Sequence, residues 1–177
     1  MQRDNHAVFY FTEGTKKVVH KCVILAALLS LSACNKQPAE PEPNKRVDAR
    51  EMLELHNQAR ARGLACGGDR KQRAPQLIWN TQLASAALTH SKNMHRAGRL
   101  THKGKRGTST KTRLADVDYN WQTYGENIAA GAHNLRTIFE LWAKSDMHCE
   151  NIASENFTEM GAAYWRGYWT VVFGRAK

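Results

Sequence analysis

The segment Tyr124–Gly131 reads YGENIAAG, and the rest of the chain can be organised around it. Glu126 stands between a glycine, which frees the backbone, and Asn127, whose amide can fix a turn. An acid in this setting is typically held by its own backbone and does not move freely in solvent. His102 lies upstream of this segment and His148 lies downstream. These two histidines and Glu126 are therefore candidates to line one cleft.

The first 33 residues have the pattern of a secretory signal peptide. A basic stretch at residues 16–21 (KKVVHK) precedes an apolar run at residues 22–31 (CVILAALLSL). That run is too short to span a bilayer as a helix and suits the apolar core of a signal peptide. Residues 31–34 (LSAC) resemble a bacterial lipobox, which implies cleavage before Cys34 and a lipid on its sulfur. A plain signal peptide or a signal anchor is the alternative.

The regions on either side of this cleavage site differ in composition. Residues 1–17 carry Asp4 and Glu13, which are unusual ahead of a signal peptide, so we read this stretch as an over-extended start. Residues 34–46 contain three prolines and no large apolar residue, which predicts a flexible linker after the lipidated cysteine. Residues 47–177 then form one domain, because no internal repeat or second domain is evident.

Two of the four cysteines remain after export. Cys22 leaves with the signal peptide, and Cys34 takes the lipid. Cys66 and Cys149 most simply form one disulfide, because exported proteins fold in an oxidising compartment. A bridge that closes a loop of roughly eighty residues stabilises the fold by on the order of 4 kcal/mol in the chain-entropy model. The alternative is that Cys149 is a nucleophile beside His148.

The chain is strongly basic, with a formal net charge of +10. Residues 1–33 hold four Lys or Arg and two Asp or Glu, so the mature part keeps +8. A cytoplasmic protein of this charge would suggest nucleic acid as a partner. Outside the cytoplasm the available anions are lipid headgroups, wall polymers and lipopolysaccharide, so we expect no nucleic-acid partner.

The hydrophobic periodicity of the mature chain predicts helices first and strands last. Capping residues and glycines mark the ends of these helices. A basic segment between the second and third of these helices, Lys103–Arg113 (KGKRGTSTKTR), is expected to be an exposed loop, followed by one short helix that carries Leu114 and Val117. The predicted elements are helices at Asp48–Gly63, Asn80–Gly98 and Asn134–Ser145, and strands at Met160–Tyr164 and Tyr168–Phe173. This order favours an α+β sandwich.

An ordered set of motifs covers nearly the whole mature domain, from about residue 48 to 174. The set consists of LHNQAR at residues 55–60, LIWN at 77–80, GENI at 125–128 and YWTVVFG at 168–174, together with His102, Trp142, His148 and Gly161. This set resembles the CAP superfamily, which comprises cysteine-rich secretory proteins, antigen 5 and plant pathogenesis-related 1 proteins, with a large bacterial branch. No single motif is specific, but their order is.

The resemblance implies a three-layer α-β-α sandwich with a central antiparallel sheet. It also implies a cleft lined by two histidines and by acids, which sometimes holds a divalent metal. In this sequence His102 and His148 match the histidines, and Glu126 matches the acid of the GEN motif. The second acid of many eukaryotic members follows the tryptophan of the third helix, but Trp142 is followed by Ala-Lys-Ser here. The Cys66–Cys149 pair resembles a bridge of some bacterial members.

Two imidazoles and one carboxylate are a suitable ligand set for zinc, because they leave a fourth position for water. A zinc hydrolase would use His102 and His148 as ligands and Glu126 as a ligand or general base. In the alternative reading, Glu126 only holds the histidines by hydrogen bonds, and the site binds a ligand without chemistry. The other histidines are expected outside the ligand set: His90 in the core, and His95 and His133 at the surface.

We expect a monomeric CAP module that is exported and tied to the membrane of the cell envelope by a lipid, on its periplasmic or surface side. Its cleft would bind a wall, lipid or protein ligand. The basic loop beside His102 would capture an anionic polymer, with Lys103, Lys105 and Arg106 as candidate contacts. The alternatives are a zinc-dependent hydrolase or peptidase and, by family analogy, a lipid or sterol carrier. A serine protease is excluded, because no G-x-S-x-G motif is present.

Overall fold

The computed structural model describes residues 47–132 and 134–177. The signal peptide (residues 1–33), the lipidated Cys34, the linker (residues 34–46) and His133 lie outside these residues, so those expectations stay predictions. Within the described ranges, no helix is both long enough and apolar enough to cross a membrane.

The described chain contains five α-helices and six β-strands. The helices are α1 (Ala49–Arg62), α2 (Thr81–Ala97), α3 (Thr110–Ala115), α4 (Leu135–Lys144) and α5 (Asp146–Ala153), and a 3-10 turn spans Lys105–Gly107. The strands are β1 (Ala65–Cys66), β2 (Asp69–Arg70), β3 (Ile78–Trp79), β4 (Trp121–Ala130), β5 (Glu159–Trp165) and β6 (Tyr168–Ala176).

One four-stranded sheet, in the order β3-β5-β6-β4, forms the middle layer. β6 pairs antiparallel with both β5 and β4, and only the two-residue β3 pairs parallel, with β5. Glu126 lies opposite Val172 in this register. The predicted α+β class and three-layer sandwich are confirmed, with this short parallel pair as an addition to the antiparallel sheet.

Side chains of β6 alternate between two apolar cores, as the period of two of a strand requires. Val171 and Phe173 face a core that α1, α4 and α5 cover, whereas Val172 faces a second core under α2 and α3. The sheet is therefore buried on both faces. Because neighbouring residues of β4 also point to opposite faces, Glu126 and Asn127 are directed to different layers.

The helix ends follow the local signals in the sequence. Asp48 accepts a hydrogen bond from the Glu51 amide, and Asn80 accepts from the amides of Gln82 and Leu83. Gly98 ends α2 in a left-handed conformation, with φ of 63°. These three predicted boundaries are confirmed, since capping depends on residues that are close in sequence.

The segment 124–131 differs from its prediction. Residues 124–130 belong to β4, a strand of ten residues, and the acid is held by other side chains and not by a local turn. The glycine before the acid is needed for space, because a Cβ at Gly125 would lie 2.8 Å from Phe157 Cζ and 3.0 Å from Asn151 Oδ1. Pairing with the distant β6 outweighed the local turn signal.

Cys66 and Cys149 form the predicted disulfide, with their Cα atoms 5.5 Å apart. The bridge joins the β1–β2 hairpin to α5, the helix that carries His148. With its sulfur in this bond, Cys149 is no longer available as the nucleophile of the alternative reading. His148 lies on α5, a helix that the sequence did not predict, and not on a connecting segment.

Candidate functional site

Glu126 is the centre of a buried network of charged and polar side chains. Its side chain is 4% exposed, and both carboxylate oxygens have partners. His102 Nδ1 lies 2.9 Å from Oε1, and Arg113 Nη2 lies 2.6 Å from Oε2. His90 Nε2 lies 3.6 Å from Oε1. One carboxylate is therefore surrounded by a guanidinium and two imidazoles.

These surroundings keep Glu126 ionised. Burial alone would raise the pKa of the carboxyl group. The hydrogen bond from His102 and the charges of His90 and Arg113 outweigh burial and lower the pKa to about 2. At neutral pH the group is a fixed negative charge and an acceptor of hydrogen bonds, which means that it does not exchange protons there.

Arg113 is the network member that the sequence analysis placed wrongly. The segment Lys103–Arg113 was expected to be an exposed loop before a short helix, and Lys103, Lys105 and Arg106 are exposed. Arg113 instead belongs to α3, is 1% exposed, and also donates to Thr110 Oγ1 at 3.0 Å. The only signal in the sequence is that Thr110 and Arg113 are one helical turn apart and precede the apolar Leu114.

His90 was expected in the core, and it is completely buried, as predicted. Its place beside Glu126 was not predicted. Burial lowers the pKa of His90 to about 4, and the effect of the Glu126 charge is smaller and opposite. His90 is therefore a neutral imidazole at pH 7. His95, which was expected at the surface, is partly buried against Tyr168 and lies outside the site.

His148 reaches the same region from α5. Its Nδ1 lies 3.0 Å from Ser145 Oγ, and its Nε2 is buried with no hydrogen-bond partner in the described part of the chain. Burial and, to a smaller extent, the charge of His102 lower the pKa of His148 to about 4. A buried imidazole nitrogen without a partner costs free energy unless a ligand atom bonds to it.

Two asparagines fix α5 against β4. Asn127 Nδ2 donates to the carbonyl of His148 at 3.0 Å, and Asn151 Nδ2 donates to Asn127 Oδ1 at 2.7 Å. Asn151 Nδ2 also lies 3.4 Å from the carbonyl oxygen of Glu126. The side-chain amide of Asn127 therefore fixes the position of α5, which carries His148, relative to β4, which carries Glu126.

The described residues do not supply the predicted three-ligand zinc set. Both oxygens of Glu126 already accept hydrogen bonds from protein groups, and Arg113 places a positive charge against one of them. Across residues 47–132 and 134–177, no three His, Cys, Asp or Glu side chains are arranged to hold a metal ion. His102 and His148 could offer one nitrogen each, which is fewer than the three protein ligands of a typical zinc site.

Access to the site is narrow. The side chain of His102 is 13% exposed, compared with 4% for Glu126, and His148 as a residue is 2% exposed. A ligand from solvent therefore meets His102 first. Glu126 acts behind it, by orienting the ring through Nδ1.

A family model described as the cysteine-rich secretory protein family (CAP) matches residues 53–173. A curated relative, the membrane protein YlbC of Bacillus subtilis, is 29% identical over 125 residues, which are 70% of this chain and 33% of that protein. Another B. subtilis protein, YkwD, is 28% identical over 94 residues, which are 53% of this chain and 37% of that protein. The chain thus spans about a third of the length of these curated relatives.

Solved structures agree with this match. An extracellular protein of Bacillus anthracis that contains an SCP domain aligns with a TM-score of 0.64 and 28% identity, over 72% of this chain and 40% of that one. An outer surface protein of Borrelia burgdorferi aligns with a TM-score of 0.57 and 18% identity, over 76% of this chain and 99% of that one. At that identity the second likeness concerns the fold alone.

Proposed function

Because the chain belongs to the cysteine-rich secretory protein (CAP) family, we propose that it is an envelope-anchored binding module. The lipid on Cys34 holds it to a membrane outside the cytoplasm, and it acts as a monomer. The site of His102, Glu126 and His148 binds a component of the cell wall. The similarity to an extracellular protein and to a protein named as a membrane protein supports the location.

The state of Glu126 favours a binding function over a catalytic one. A general base works best when its pKa is near the operating pH. The pKa of Glu126 is lowered to about 2 by the hydrogen bond from His102 and by nearby positive charges, which outweigh its burial. Glu126 therefore holds His102 in place and does not accept a proton at neutral pH.

The polar contacts of a ligand follow from the same geometry. Glu126 fixes the orientation of the His102 ring through Nδ1. His148 Nε2 offers one hydrogen bond inside the site, as donor or acceptor according to the tautomer that Ser145 selects. A ligand with a hydroxyl or amide group satisfies this buried nitrogen, and both groups are common in wall peptides and sugars.

Co-sedimentation of the detergent-purified full chain with wall sacculi tests this proposal. His102→Gln removes the imidazole ring edge, and we expect the apparent Kd to rise about tenfold, the loss of one buried polar contact. His95→Gln is the matched control, because this histidine lies on α2 against Tyr168 and outside the network. Equal binding of the two variants to sacculi would refute the assignment of His102 to the binding site. Zinc-dependent release of wall fragments would favour the hydrolase instead.

A second candidate function, lipid carriage, is favoured by one observation. A groove of about 650 Å³ runs between the first turns of α2 and β5. Its apolar and aromatic lining includes Val47, Trp79, Leu88, Tyr164 and Trp165. Transfer of a fluorescent sterol or phospholipid between vesicles measures this activity. Transfer that Leu88→Gln abolishes would support it, and transfer no faster than without protein would count against it.

A further inference from the structure

The positive charge of the protein is concentrated in one stretch of sequence. Residues 70–115 contain eleven Lys or Arg residues and no Asp or Glu. Since the whole chain has a net charge of +10, the remaining residues are close to neutral overall. Eight of the eleven lie on α2, on α3 or in the segment between these helices, whereas Arg70 contacts α1 and Lys71 pairs with Glu150 of α5.

Five of these cations line one groove, which we call the basic groove. Arg96 and Arg99 come from the end of α2, and Lys103, Lys105 and Arg106 come from the following loop. The groove has a volume of about 440 Å³, and Asn93 also lines it. No acidic residue lines it, and none of the five cations forms an ion pair with a carboxylate in the described part of the chain.

Such a group of like charges repels itself and destabilises the fold unless an anion neutralises it. The guanidinium groups of Arg96, Arg99 and Arg106 have the planar fork that binds phosphate oxygens in pairs. Lys103 and Lys105 add point charges. The groove therefore has the chemistry to hold phosphate groups.

The floor of the basic groove is in contact with the Glu126 network. A Cβ at Gly104 would lie 2.5 Å from Thr108 Oγ1 and 3.2 Å from Arg113 Nη1, so only glycine fits there. Arg113 is the residue whose Nη2 donates to Glu126. An occupant of the basic groove thus lies next to the His102 site, and a long polymer can contact both.

The basic groove and the entry of the chain into the domain lie at opposite ends of α2. Val47, the first described residue, lines a groove with Thr81 at the start of α2, whereas the basic groove is at its end. A helix of 17 residues is about 25 Å long. The basic groove is therefore distant from the point where the membrane tether joins the domain.

We propose that the basic groove binds the phosphate groups of a polymer in the cell envelope, with Arg96 and Arg99 as contacts beside Lys103, Lys105 and Arg106. This inference rests on the envelope location in the proposed function. It extends that function by naming the chemistry of the partner and two contact residues on α2 and just after it.

Binding of fluorescent linear polyphosphate to the detergent-purified full chain, followed by anisotropy, tests the proposal. We expect Arg96→Gln with Arg99→Gln to raise the Kd about tenfold or more, because two charge-assisted contacts are lost. The matched control is Arg70→Gln with Arg73→Gln. It removes the same charge from exposed positions of the same acid-free stretch but outside the groove, and we expect a change below about twofold.

Three results would overturn the proposal. Equal weakening by the two double variants would mean attraction by net charge alone. Equal affinity for polyglutamate would mean that phosphate is not selected. Groove-dependent binding to phosphatidylcholine vesicles with about one third phosphatidylglycerol, at the affinity of polyphosphate, would make the membrane the partner. His102→Gln removes no charge from the basic groove and should weaken polyphosphate binding less than Arg96→Gln with Arg99→Gln does, so failure of the cleft and failure of the basic groove remain distinguishable.

Discussion

The two buried arginines, Arg60 and Arg113, show how one residue type serves structure in one region and a site in another. Both are at most 1% exposed. Arg60 donates to four backbone carbonyls, those of Pro75, Ile152, Ser154 and Phe157, at 2.7 to 3.2 Å. Arg113 instead donates to the carboxylate of Glu126 at 2.6 Å.

The difference lies in what each charge faces. Arg60 joins α1 to the chain after α5 through uncharged acceptors, and burial lowers its pKa to about 10, so it remains cationic at neutral pH. Arg113 has a partner that can itself be protonated, and this partner bonds to the solvent-facing His102. Arg60 therefore stabilises connections between elements, whereas Arg113 sets the charge and orientation of a site.

The first prediction concerns Arg60→Met, for which we expect the largest loss. The substitution leaves four carbonyl oxygens without their donor in a buried place, and we expect the free energy of unfolding to fall by about 4 kcal/mol. No carboxylate bonds to Arg60, and its charge is only the smallest of the causes that act on the pKa of His56, so the loss should change little between pH 7 and pH 4. Urea denaturation measures it. Arg62→Met, on the exposed side of α1, is the control and should change stability by less than about 0.5 kcal/mol.

The second prediction concerns Arg113→Met, with an expected loss of about 3 kcal/mol at pH 7, because it leaves Glu126 buried and ionised without its cation. In the wild type the pKa of Glu126 is about 2, compared with 4.5 in the unfolded chain. The stability that the ionised group contributes is thus complete above pH 4.5 and disappears as the pH falls towards 2. Arg113→Met raises this pKa, so its cost should shrink below about pH 4.5, unlike that of Arg60→Met.

A double-mutant cycle checks the cause. In a Glu126→Gln background, the further change Arg113→Met should cost about 1 kcal/mol, since no buried anion is then left without a partner. Lys111→Met, on the exposed side of α3, is the control for the helix itself. If the cost of Arg113→Met is the same in both backgrounds and at every pH, Arg113 is a packing residue and its comparison with Arg60 fails.

The sequence predicted what depends on neighbours in the chain and missed what depends on distant partners. Asp48, Asn80 and Gly98 mark helix ends by bonding to residues within a few positions, so their roles were readable. The disulfide was readable because only Cys66 and Cys149 remained to pair. The order of motifs gave the family and hence the fold. In each case the necessary information lay in one short segment, in composition or in the order of short segments.

Glu126 illustrates a feature that depends on partners distant in the chain. Its neighbours suggested a turn, yet β4 pairs with β6 more than forty residues later, and the acid is bound by His102 and Arg113 from other elements. Only its helical spacing from Thr110 and the apolar Leu114 that follows distinguish the buried Arg113 from the exposed cations before it. Partners across a sheet are set by tertiary packing, which overrides local preference.

The third and smallest effect concerns His56, the neutral histidine beside Arg60. Burial lowers its pKa to about 4, and the charge of Arg60 acts in the same direction. The unfolded chain therefore binds one more proton than the folded chain between pH 6.5 and about 4, so stability falls as the pH drops through this window. His56→Leu should reduce the loss of stability between about pH 8 and pH 5 by about 1–2 kcal/mol in urea titrations.

The control is Met52→Leu, a buried neighbour on α1 that does not titrate, and this variant should keep the full pH slope. His90 and His148 share the lowered pKa and should maintain most of that slope in both variants. A flat wild-type profile over this pH range would show that these rings are not buried as neutral groups, and the burial of a neutral His56 beside the charge of Arg60 would then have to be abandoned.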